Sequence, residues 1–452
     1  MSSDAASSQA AAVSDAEAFR VHNLPDLPHE ARSLKQYAGF LPTALDKPDW
    51  NSHLFFWLVE AEEEAKSSEP TPLLIWLNGG PGASSLTGLL LENGPFGFRL
   101  GDSKLSYNPH GWTKAAIDQP VGAGFSYTKS KPGEWGDGPG YVNSLTEMAE
   151  QLYPVIVAMI AKFDWLKDAP VYIAGESYAS KYIPRIAHYI HTKNEAAGSK
   201  LVNLAGIAIG NGIGDMVPYV AYESTPDYLR HFGLIDAETQ AWAHGRLAVC
   251  KQHCDREEWA EAYKVCEDMS ETLLSEKAQV PFIYDIRATT DVFSDLSAVT
   301  AAWINDPAVH KALNAGGFPW RQSDGQGPSS IGKPVPDHLE SDQLLPIPTK
   351  IITDLMEKYQ FMTYSGQYDG SPWNFLGSER LIDQLEWKGK AAYNASARVV
   401  WKVDGEVAGY MKGDVAGFSY VLATNCGHLV PTDQPKNALD LIRRFIKREP
   451  FA

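Results

Sequence analysis

The stretch that most constrains the fold is a short apolar run followed at once by a serine among small residues. Val171-Tyr172-Ile173-Ala174 is typical of a buried strand, and Gly175-Glu176-Ser177-Tyr178-Ala179 comes directly after it. A helical pattern follows, whose apolar face consists of Tyr182, Ile183, Ile186, Ala187 and Ile190. A strand, a sharp turn and a helix in this order present a serine as a nucleophile at the edge of a sheet. A short G-x-S-x-small match also arises by chance, so the rest of the chain has to decide.

Composition limits the classes of protein to which the sequence can belong. The chain has 452 residues, 44% hydrophobic and 21% charged, which allows one large domain with an insertion or two modest domains. No apolar run reaches the length of about 18 residues that a membrane span requires. The net charge is −17, and no cluster of Lys and Arg is present, so we expect no nucleic-acid partner.

The N-terminus and the cysteines bear on the cellular compartment. Residues 1–20 are rich in Ala, Ser and Asp, and we expect them to be disordered and to lack a secretory signal. Cys250, Cys254 and Cys266 are close in sequence, which suits one local disulfide with one thiol left over. Their spacing, with Cys426 far away, is not that of a zinc site. We expect no metal and no cofactor, and we predict no oligomeric state.

Apolar runs alternate with helical periodicity along most of the chain. We predict strands at 53–60, 73–77, 171–174, 204–209, 360–366, 398–403 and 417–423, and helices at 144–163 and 435–447. The polar spacer between the first two strands favours an antiparallel pair. The alternation as a whole predicts an α/β fold with a mostly parallel central sheet covered on both faces.

The alternating pattern weakens in the middle of the chain. Charged helical stretches and a loop rich in Gly, Pro and Ser fall there, together with the three clustered cysteines. We predict an α/β core formed by residues 21–215 and 345–452. Residues 216–344 are predicted to be an inserted, mainly helical cap.

Two further predicted strands are followed by side chains that suit a serine nucleophile. Asp369 follows the strand at 360–366, and His428 follows the strand at 417–423. The order Ser177, Asp369, His428 is the order found in α/β-hydrolases. In this arrangement His428 takes the proton of Ser177 and returns it to the leaving group, while Asp369 fixes the imidazole tautomer.

A glycine-rich turn, Asn78-Gly79-Gly80-Pro81-Gly82, follows the predicted strand at 73–77. Glycines let backbone N–H groups approach a ligand closely. A developing oxyanion requires donors that are already in place, and we expect the N–H groups of Gly80 and Tyr178 to supply them.

Together these stretches resemble the serine carboxypeptidases of the carboxypeptidase Y type. The resemblance is carried by residues 76–82, 118–127, 175–179 and 427–431, with Asp433-Gln434-Pro435 after the last. It implies an α/β-hydrolase fold with an inserted, mainly helical cap. It also implies a serine-type carboxypeptidase that removes the C-terminal residue of peptides or proteins with a free C-terminus, through an acyl-enzyme, at acid pH. The family's location is the vacuole, the lysosome or the exterior of the cell.

The resemblance also implies how a substrate is held. By position, its carboxylate is bound by Trp76, Asn78, Glu92 and Glu176. The pocket for the terminal side chain is lined by Thr87, Leu91 and Leu429, with Tyr178 near the penultimate residue, and its apolar character favours a hydrophobic terminal residue. Two carboxyl groups that face a substrate carboxylate repel it when charged, so we expect peptide binding to weaken between about pH 5 and pH 7.

Some positions depart from the family pattern. Only Thr113-Lys114-Ala115-Ala116-Ile117 separates Trp112 from Asp118, so we expect a shortened central strand with fewer ladder hydrogen bonds. Ala83 stands where the family has a disulfide cysteine, and the segment that begins at Asp369 is slightly longer than the family's. Cys426, close to His428, is either inert or a site of attack by thiol reagents.

Two other functions stay open on the sequence. An acyltransferase of the serine-carboxypeptidase-like group has the same fold and passes its acyl group to an alcohol, but the retained carboxylate-binding residues favour the peptidase. A catalytically weak homologue would instead stabilise a partner protein. The complete set of Ser177, Asp369 and His428 argues against that role.

Overall fold

The computed structural model describes residues 16–43, 52–61, 70–128, 140–212, 218–323, 334–414 and 416–451. The strands β1 to β13 are Gln36–Pro42, Ser52–Val59, Leu73–Leu77, Phe96–Gly97, Ser106–Tyr107, Ala115–Ile117, Tyr127–Thr128, Val171–Glu176, Leu204–Gly210, Gln360–Gly366, Val399–Val403, Glu406–Gly413 and Phe418–Ala423. The helices α1 to α13 are Leu145–Lys162, Ala179–Ala197, Pro218–His231, Ala237–Asp255, Trp259–Glu271, Val292–Ile304, Pro307–Ala312, Pro334–His338, Thr349–Lys358, Phe375–Gln384, Lys390–Ala395, Val430–Asp433 and Pro435–Lys447. Every predicted strand and helix is present, with nearly the predicted bounds.

The chain divides into two compact units. The first consists of Met1–Ile173, Ile186–Ala205 and Asp295–Asp337. The second consists of Ala174–Arg185, Gly206–Ser294 and His338–Ala452.

In the first unit the strand order is β1, β2, β6, β3. β1 and β2 are antiparallel, and the three-residue strand β6 pairs antiparallel with β2 and parallel with β3. The predicted antiparallel pair of β2 and β3 is therefore wrong, because β6 lies between them. The sequence does not reveal this arrangement, since Ala115-Ala116-Ile117 is too short to show a strand period.

The N-terminal part of the first unit differs from the prediction of disorder for residues 1–20. Residues 1–15 lie outside the described part of the chain. Of the remainder, Phe19 packs against Phe56 and Phe163, with ring centroids 5.3 and 6.3 Å away. Arg20 donates a hydrogen bond to the hydroxyl of Tyr37. Residues 16–20 are thus fixed by aromatic packing.

Helix α1 begins with a capping box. The N–H of Glu147 donates to Ser144 Oγ at 3.2 Å, and the Glu147 carboxylate accepts from the N–H of Asn143 at 2.7 Å. Two backbone donors that the helix itself leaves unsatisfied are paired in this way.

The second unit contains the parallel strands that present the site. β10 pairs parallel with β9 on one side and with β13 on the other, and β12 and β11 extend this sheet with antiparallel pairing. The carboxyl ends of β9, β10 and β13 therefore lie at one edge, at Gly210, Gly366 and Ala423. The N–H of Ser177 donates to the carbonyl of Gly210 at 3.0 Å, so the end of β8 joins the same edge. The prediction of an α/β fold is confirmed.

Helices α3, α4 and α5 of the second unit enclose a core of their own, to which Tyr222, Leu229, Leu247 and Met269 belong. A disulfide joins Cys250 on α4 to Cys266 on α5. Cys254 and Cys426 are free thiols. The structure therefore agrees with the expectation of one local disulfide with one thiol left over.

Candidate active site

Ser177 occupies the turn between β8 and α2 in a strained backbone conformation. Its φ is +60°, a value that non-glycine residues adopt rarely and mostly where the surrounding structure enforces it. The carbonyl of Ser177 accepts from the N–H of Ser180 at 2.8 Å, which begins the helix. Ser177 is partly exposed, whereas its neighbours Glu176 and Tyr178 are buried. The turn thus fixes the backbone and leaves the serine accessible.

Asp369 and His428 meet at the edge where Ser177 lies. The Nδ1 atom of His428 is 2.6 Å from Asp369 Oδ2, and both side chains are almost fully buried. Asp369 also accepts from the amide of Asn211 at 2.7 Å and from the N–H of Ser371 at 2.9 Å. A carboxylate surrounded by donors places the ring proton of His428 on Nδ1, which leaves Nε2 as an acceptor.

Backbone contacts hold His428 from the other side. Its N–H donates to the carbonyl of Tyr284 at 2.7 Å, and the centroids of the Tyr284 ring and the imidazole are 4.7 Å apart. Burial and the negative charge of Asp369 raise the pKa of Tyr284 to about 12. A Cβ at Gly366 or at Gly427 would overlap neighbouring backbone atoms, so glycine is required at both positions for the two loops to approach.

In the first unit, Trp76, Asn78 and Glu92 form a hydrogen-bonded chain. Trp76 Nε1 donates to Asn78 Oδ1 at 2.8 Å, and Asn78 Nδ2 donates to Glu92 Oε1 at 3.0 Å. Asn78 Oδ1 also accepts from the N–H of Gly88 at 3.0 Å. A Cβ at Gly88 would overlap Trp76 Nε1, so the chain depends on glycine there. Three of the four groups predicted to bind a carboxylate are thereby brought together.

Lys114 is buried next to this chain, one residue before β6. Its Nζ contacts Asn93 Oδ1 and lies 6.0 Å from the rings of Trp76 and Trp112. Burial lowers the pKa of Lys114 to about 7, although the charge of Glu92 acts in the opposite direction. A buried ammonium in this position is a source of positive potential for the chain of Trp76, Asn78 and Glu92.

The other predicted site residues are distributed over both units. Gly80, in the first unit, has a φ of +112°, and a Cβ there would lie 2.7 Å from the nitrogen of Ala83. Thr87 and Leu91 are buried in two short helical turns, Ser85–Thr87 and Gly88–Asn93. In the second unit, Leu429 is half-buried next to His428, and the Tyr178 ring packs edge-on against the Tyr182 ring, with centroids 5.1 Å apart.

A family model described as serine carboxypeptidase matches residues 25–448. The chain belongs to the serine carboxypeptidase family. The venom serine carboxypeptidase of Apis mellifera is 33% identical over 435 residues, which cover 93% of this chain and 86% of that protein. The probable serine carboxypeptidase CPVL of Homo sapiens is 30% identical over 433 residues, which cover 93% and 84%.

A solved structure supports the fold of this serine carboxypeptidase. Kex1(Δ)p, a prohormone-processing carboxypeptidase from Saccharomyces cerevisiae, matches with a TM-score of 0.82 over 96% of each chain, at 22% identity. The resemblance stated from the sequence is confirmed, and so is the α/β-hydrolase fold. The chain is a serine-type carboxypeptidase, a hydrolase of peptides, and the acyltransferase alternative is not favoured.

The segment 118–127 of this carboxypeptidase links parts of the first unit through the buried side chain of Asp118. Asp118 is buried and accepts from Ser84 Oγ at 2.6 Å and from the N–H of Phe125 at 3.0 Å. Ser84 Oγ in turn accepts from Trp320 Nε1 at 2.8 Å. Burial raises the pKa of Asp118 to about 7, while these hydrogen bonds act to lower it. Asp118 therefore joins three distant parts of the first unit.

Two residues that contact the Asp369–His428 pair were not expected from the sequence. Asn211 donates to Asp369, and its signal was visible as Gly210-Asn211-Gly212 at the end of a predicted strand. Tyr284, whose carbonyl accepts from the N–H of His428, lies in an irregular stretch that no periodic pattern marks.

Within the described residues, no group of three or more His, Cys, Asp or Glu side chains is arranged to hold a metal ion. In that same part of the chain, no helix combines the length and the apolar character needed to cross a membrane.

Proposed function

We propose that this chain removes the C-terminal residue from peptides with a free C-terminus, at acid pH, with Ser177 as the nucleophile. The observation that carries the proposal is the contact of 2.6 Å between His428 and Asp369, at the same sheet edge as the partly exposed, strained Ser177. His428 Nε2 takes the proton of Ser177 Oγ as the oxygen attacks the scissile carbonyl carbon. The C–N bond then breaks, and His428 protonates the departing amine.

The second half of the reaction regenerates the enzyme. Water attacks the acyl-enzyme, His428 takes the proton from the water, and that proton returns to Ser177 Oγ as the acyl–oxygen bond breaks. For both tetrahedral intermediates we assign the oxyanion donors, from the sequence argument, to the N–H groups of Gly80 and Tyr178.

Recognition of the substrate carboxylate is assigned to Trp76, Asn78, Glu92 and Glu176. The hydrogen-bonded order of the first three supports this assignment, because the Asn78 amide is oriented by Trp76 and Glu92. Thr87, Leu91 and Leu429 are assigned to the pocket for a hydrophobic terminal side chain.

The proposed compartment is the vacuole, the lysosome or the exterior of the cell. The disulfide between Cys250 and Cys266 supports an oxidising environment during folding, since such bonds are rare in proteins of the cytosol.

The test combines active-site labelling with peptide hydrolysis. A fluorophosphonate probe should label the wild type and not Ser177→Ala. N-blocked dipeptides that end in Leu should be hydrolysed when the C-terminus is free and spared when it is amidated. Folded wild type that is neither labelled nor active would refute the proposal. Equal hydrolysis of both peptides would refute carboxylate recognition and leave the nucleophile in place.

The pH dependence tests the carboxylate site separately. We expect KM for the free-acid peptide to rise between about pH 5 and pH 7, because charged glutamates repel the substrate carboxylate. The labelling rate of the neutral fluorophosphonate should not follow the same curve. A flat KM over this range would contradict the assignment of Glu92 and Glu176.

A further inference from the structure

A short segment of the second unit, residues 283–287, contacts the loop that carries Asp369. We call it the bridging segment. Its Ile283 carbonyl accepts from the N–H of Gly370 at 3.0 Å, and the N–H of Ile286 donates to the carbonyl of Tyr368 at 3.0 Å. A Cβ at Gly370 would lie 2.6 Å from Ile286 Cγ2 and 2.9 Å from the Ile283 carbonyl oxygen, so this close approach requires glycine. The residues on both sides of Asp369 are thus bound to the bridging segment.

The same bridging segment contacts the loop that carries His428. The carbonyl of Tyr284 accepts the N–H of His428 at 2.7 Å. A Cβ at Gly427 would overlap the Tyr284 carbonyl oxygen and would lie 2.8 Å from Asp285 Cβ. The bridging segment therefore touches the residues next to both members of the Asp369–His428 pair.

Arg287, the last residue of the bridging segment, connects these two sets of contacts. Its guanidinium binds Asp285 through two nitrogens, with Nε 2.9 Å from Oδ1 and Nη2 2.5 Å from Oδ2. The guanidinium carbon lies 4.6 Å from the centre of the Tyr368 ring. Nη2 is also 3.6 Å from Asp433 Oδ2, and the same oxygen accepts the N–H of Gly427 at 2.7 Å.

Tyr368 directly precedes Asp369, and Gly427 directly precedes His428. We propose that Arg287 is a positioning residue for the Asp369–His428 pair, because it holds the residue before each partner through stacking on Tyr368 and through Asp433. The inference rests on the proposed function, in which this pair activates Ser177.

The arrangement differs from an ordinary surface ion pair. An isolated exposed pair such as Arg246 with Asp268, 2.9 Å apart, stabilises a protein by at most about 1 kcal/mol and has no reason to affect a distant site. Arg287 binds Asp285 through two nitrogens, stacks its planar guanidinium on Tyr368 and forms an ion pair with Asp433. A lysine cannot make all of these contacts at once. Misplacement of catalytic groups by about 1 Å can lower a rate about 100-fold.

The experiment measures the second-order rate of fluorophosphonate labelling, kcat and KM in the full chain. We expect Arg287→Met to lower the labelling rate and kcat about 10- to 100-fold with KM nearly unchanged. Arg287→Lys should recover part of the loss, and the control Arg246→Met should behave as the wild type. The proton resonance of His428 Nδ1–H at low field should move or broaden in Arg287→Met.

The outcomes separate this inference from the proposed function. The inference would be overturned if Arg287→Met had the labelling rate and the His428 resonance of the wild type. Labelling of the wild type would still support Ser177 as the nucleophile. Absence of labelling in the wild type would refute the proposed function itself. If Arg287→Met does not fold, Tyr368→Leu removes the ring on which Arg287 stacks, together with its contact with Phe232, and leaves the ion pairs of Arg287 in place. We expect a smaller loss of kcat from that variant, and an unchanged kcat would overturn the inference.

Discussion

At the scale of single residues, Asn211 shows how one side chain orients Asp369, the carboxylate proposed to fix His428. Its amide donates to Asp369, and its oxygen lies 3.4 Å from the N–H of Gly366. The residue has a φ of +45°, a conformation that Asn tolerates better than most residues. The side chain and the backbone therefore both favour Asn at the end of β9.

Replacing Asn211 should impair catalysis more than binding. We expect Asn211→Ala to lower kcat about 10- to 100-fold, because Asp369 loses a donor that holds it against His428. Asn211→Asp keeps the backbone preference but puts a second carboxyl group against a buried carboxylate, so its loss should be larger at neutral pH than at pH 5. Steady-state kinetics on a blocked dipeptide measures both. Wild-type kcat in Asn211→Ala would contradict this account.

The side chains proposed for the reaction could be singled out from the sequence because each follows an apolar strand. Ser177, Asp369 and His428 come at the ends of strands whose periodicity is plain in the sequence. Asn211 has the same position after β9, but a turn explains a Gly-Asn-Gly sequence equally well. Tyr284 and Arg287 could not be predicted, since they reach the site from an irregular stretch whose path depends on tertiary packing.

At the scale of elements, the π-helical turn Gly88–Asn93 determines the geometry of the predicted carboxylate site. It presents the N–H of Gly88 to Asn78 and the carboxyl group of Glu92 to the amide of Asn78. Turns of this kind are rare and often found at functional sites. Periodicity predicted none of this, because a π-helical turn does not follow the α-helical repeat.

Gly88→Ala tests this element. The added methyl group overlaps Trp76 Nε1, so Trp76 and Asn78 must move. We expect KM for a free-acid peptide to rise about 10-fold or more, which corresponds to the loss of one hydrogen bond to a charged group. The labelling rate of Ser177 should change little. An unchanged KM would show that the turn does not position the site.

A matched control comes from helix α4. A Cβ at the exposed Gly245 meets no atom within 4 Å. Gly245→Ala should leave KM unchanged and should raise the free energy of unfolding by up to about 1 kcal/mol, the usual gain for this exchange inside a helix.

At the scale of the whole molecule, two buried ionisable groups, Asp118 and Lys114, make stability depend on pH in opposite directions. The pKa of Asp118 is raised from 3.8 to about 7, so between about pH 4 and pH 7 the folded state holds a proton that the unfolded state has released. Stability therefore falls as the pH rises through this range. The pKa of Lys114 is lowered from 10.5 to about 7, so stability rises between about pH 7 and pH 10.

We thus expect these two groups to place a minimum of stability near pH 7. Each effect is at most on the order of 4 to 5 kcal/mol. Urea unfolding at several pH values should show a flatter curve below pH 7 for Asp118→Asn and a flatter curve above pH 7 for Lys114→Met. Curves parallel to that of the wild type would contradict the assignment.

The disulfide should matter for the stability of the helical region α4–α5. Cys250 and Cys266 are separated by 16 residues, and the chain-entropy estimate for such a loop is about 3 kcal/mol. We expect the double substitution to Ser to lower the free energy of unfolding by about this amount. Cys254→Ser, the control, keeps the disulfide and should lower the free energy of unfolding by less than the double substitution does. Equal stability of both variants would contradict the prediction.

The two free thiols have unequal chemistry. Cys426 is fully buried, and burial raises the pKa of its thiol, so the reactive thiolate is scarce and shielded. Burial also raises the pKa of Cys254, near the C-terminal end of α4, but this thiol is only half-buried. A maleimide dye should therefore attach to the native protein at Cys254 and spare Cys426, so that fluorescence or immobilisation needs no engineered tag.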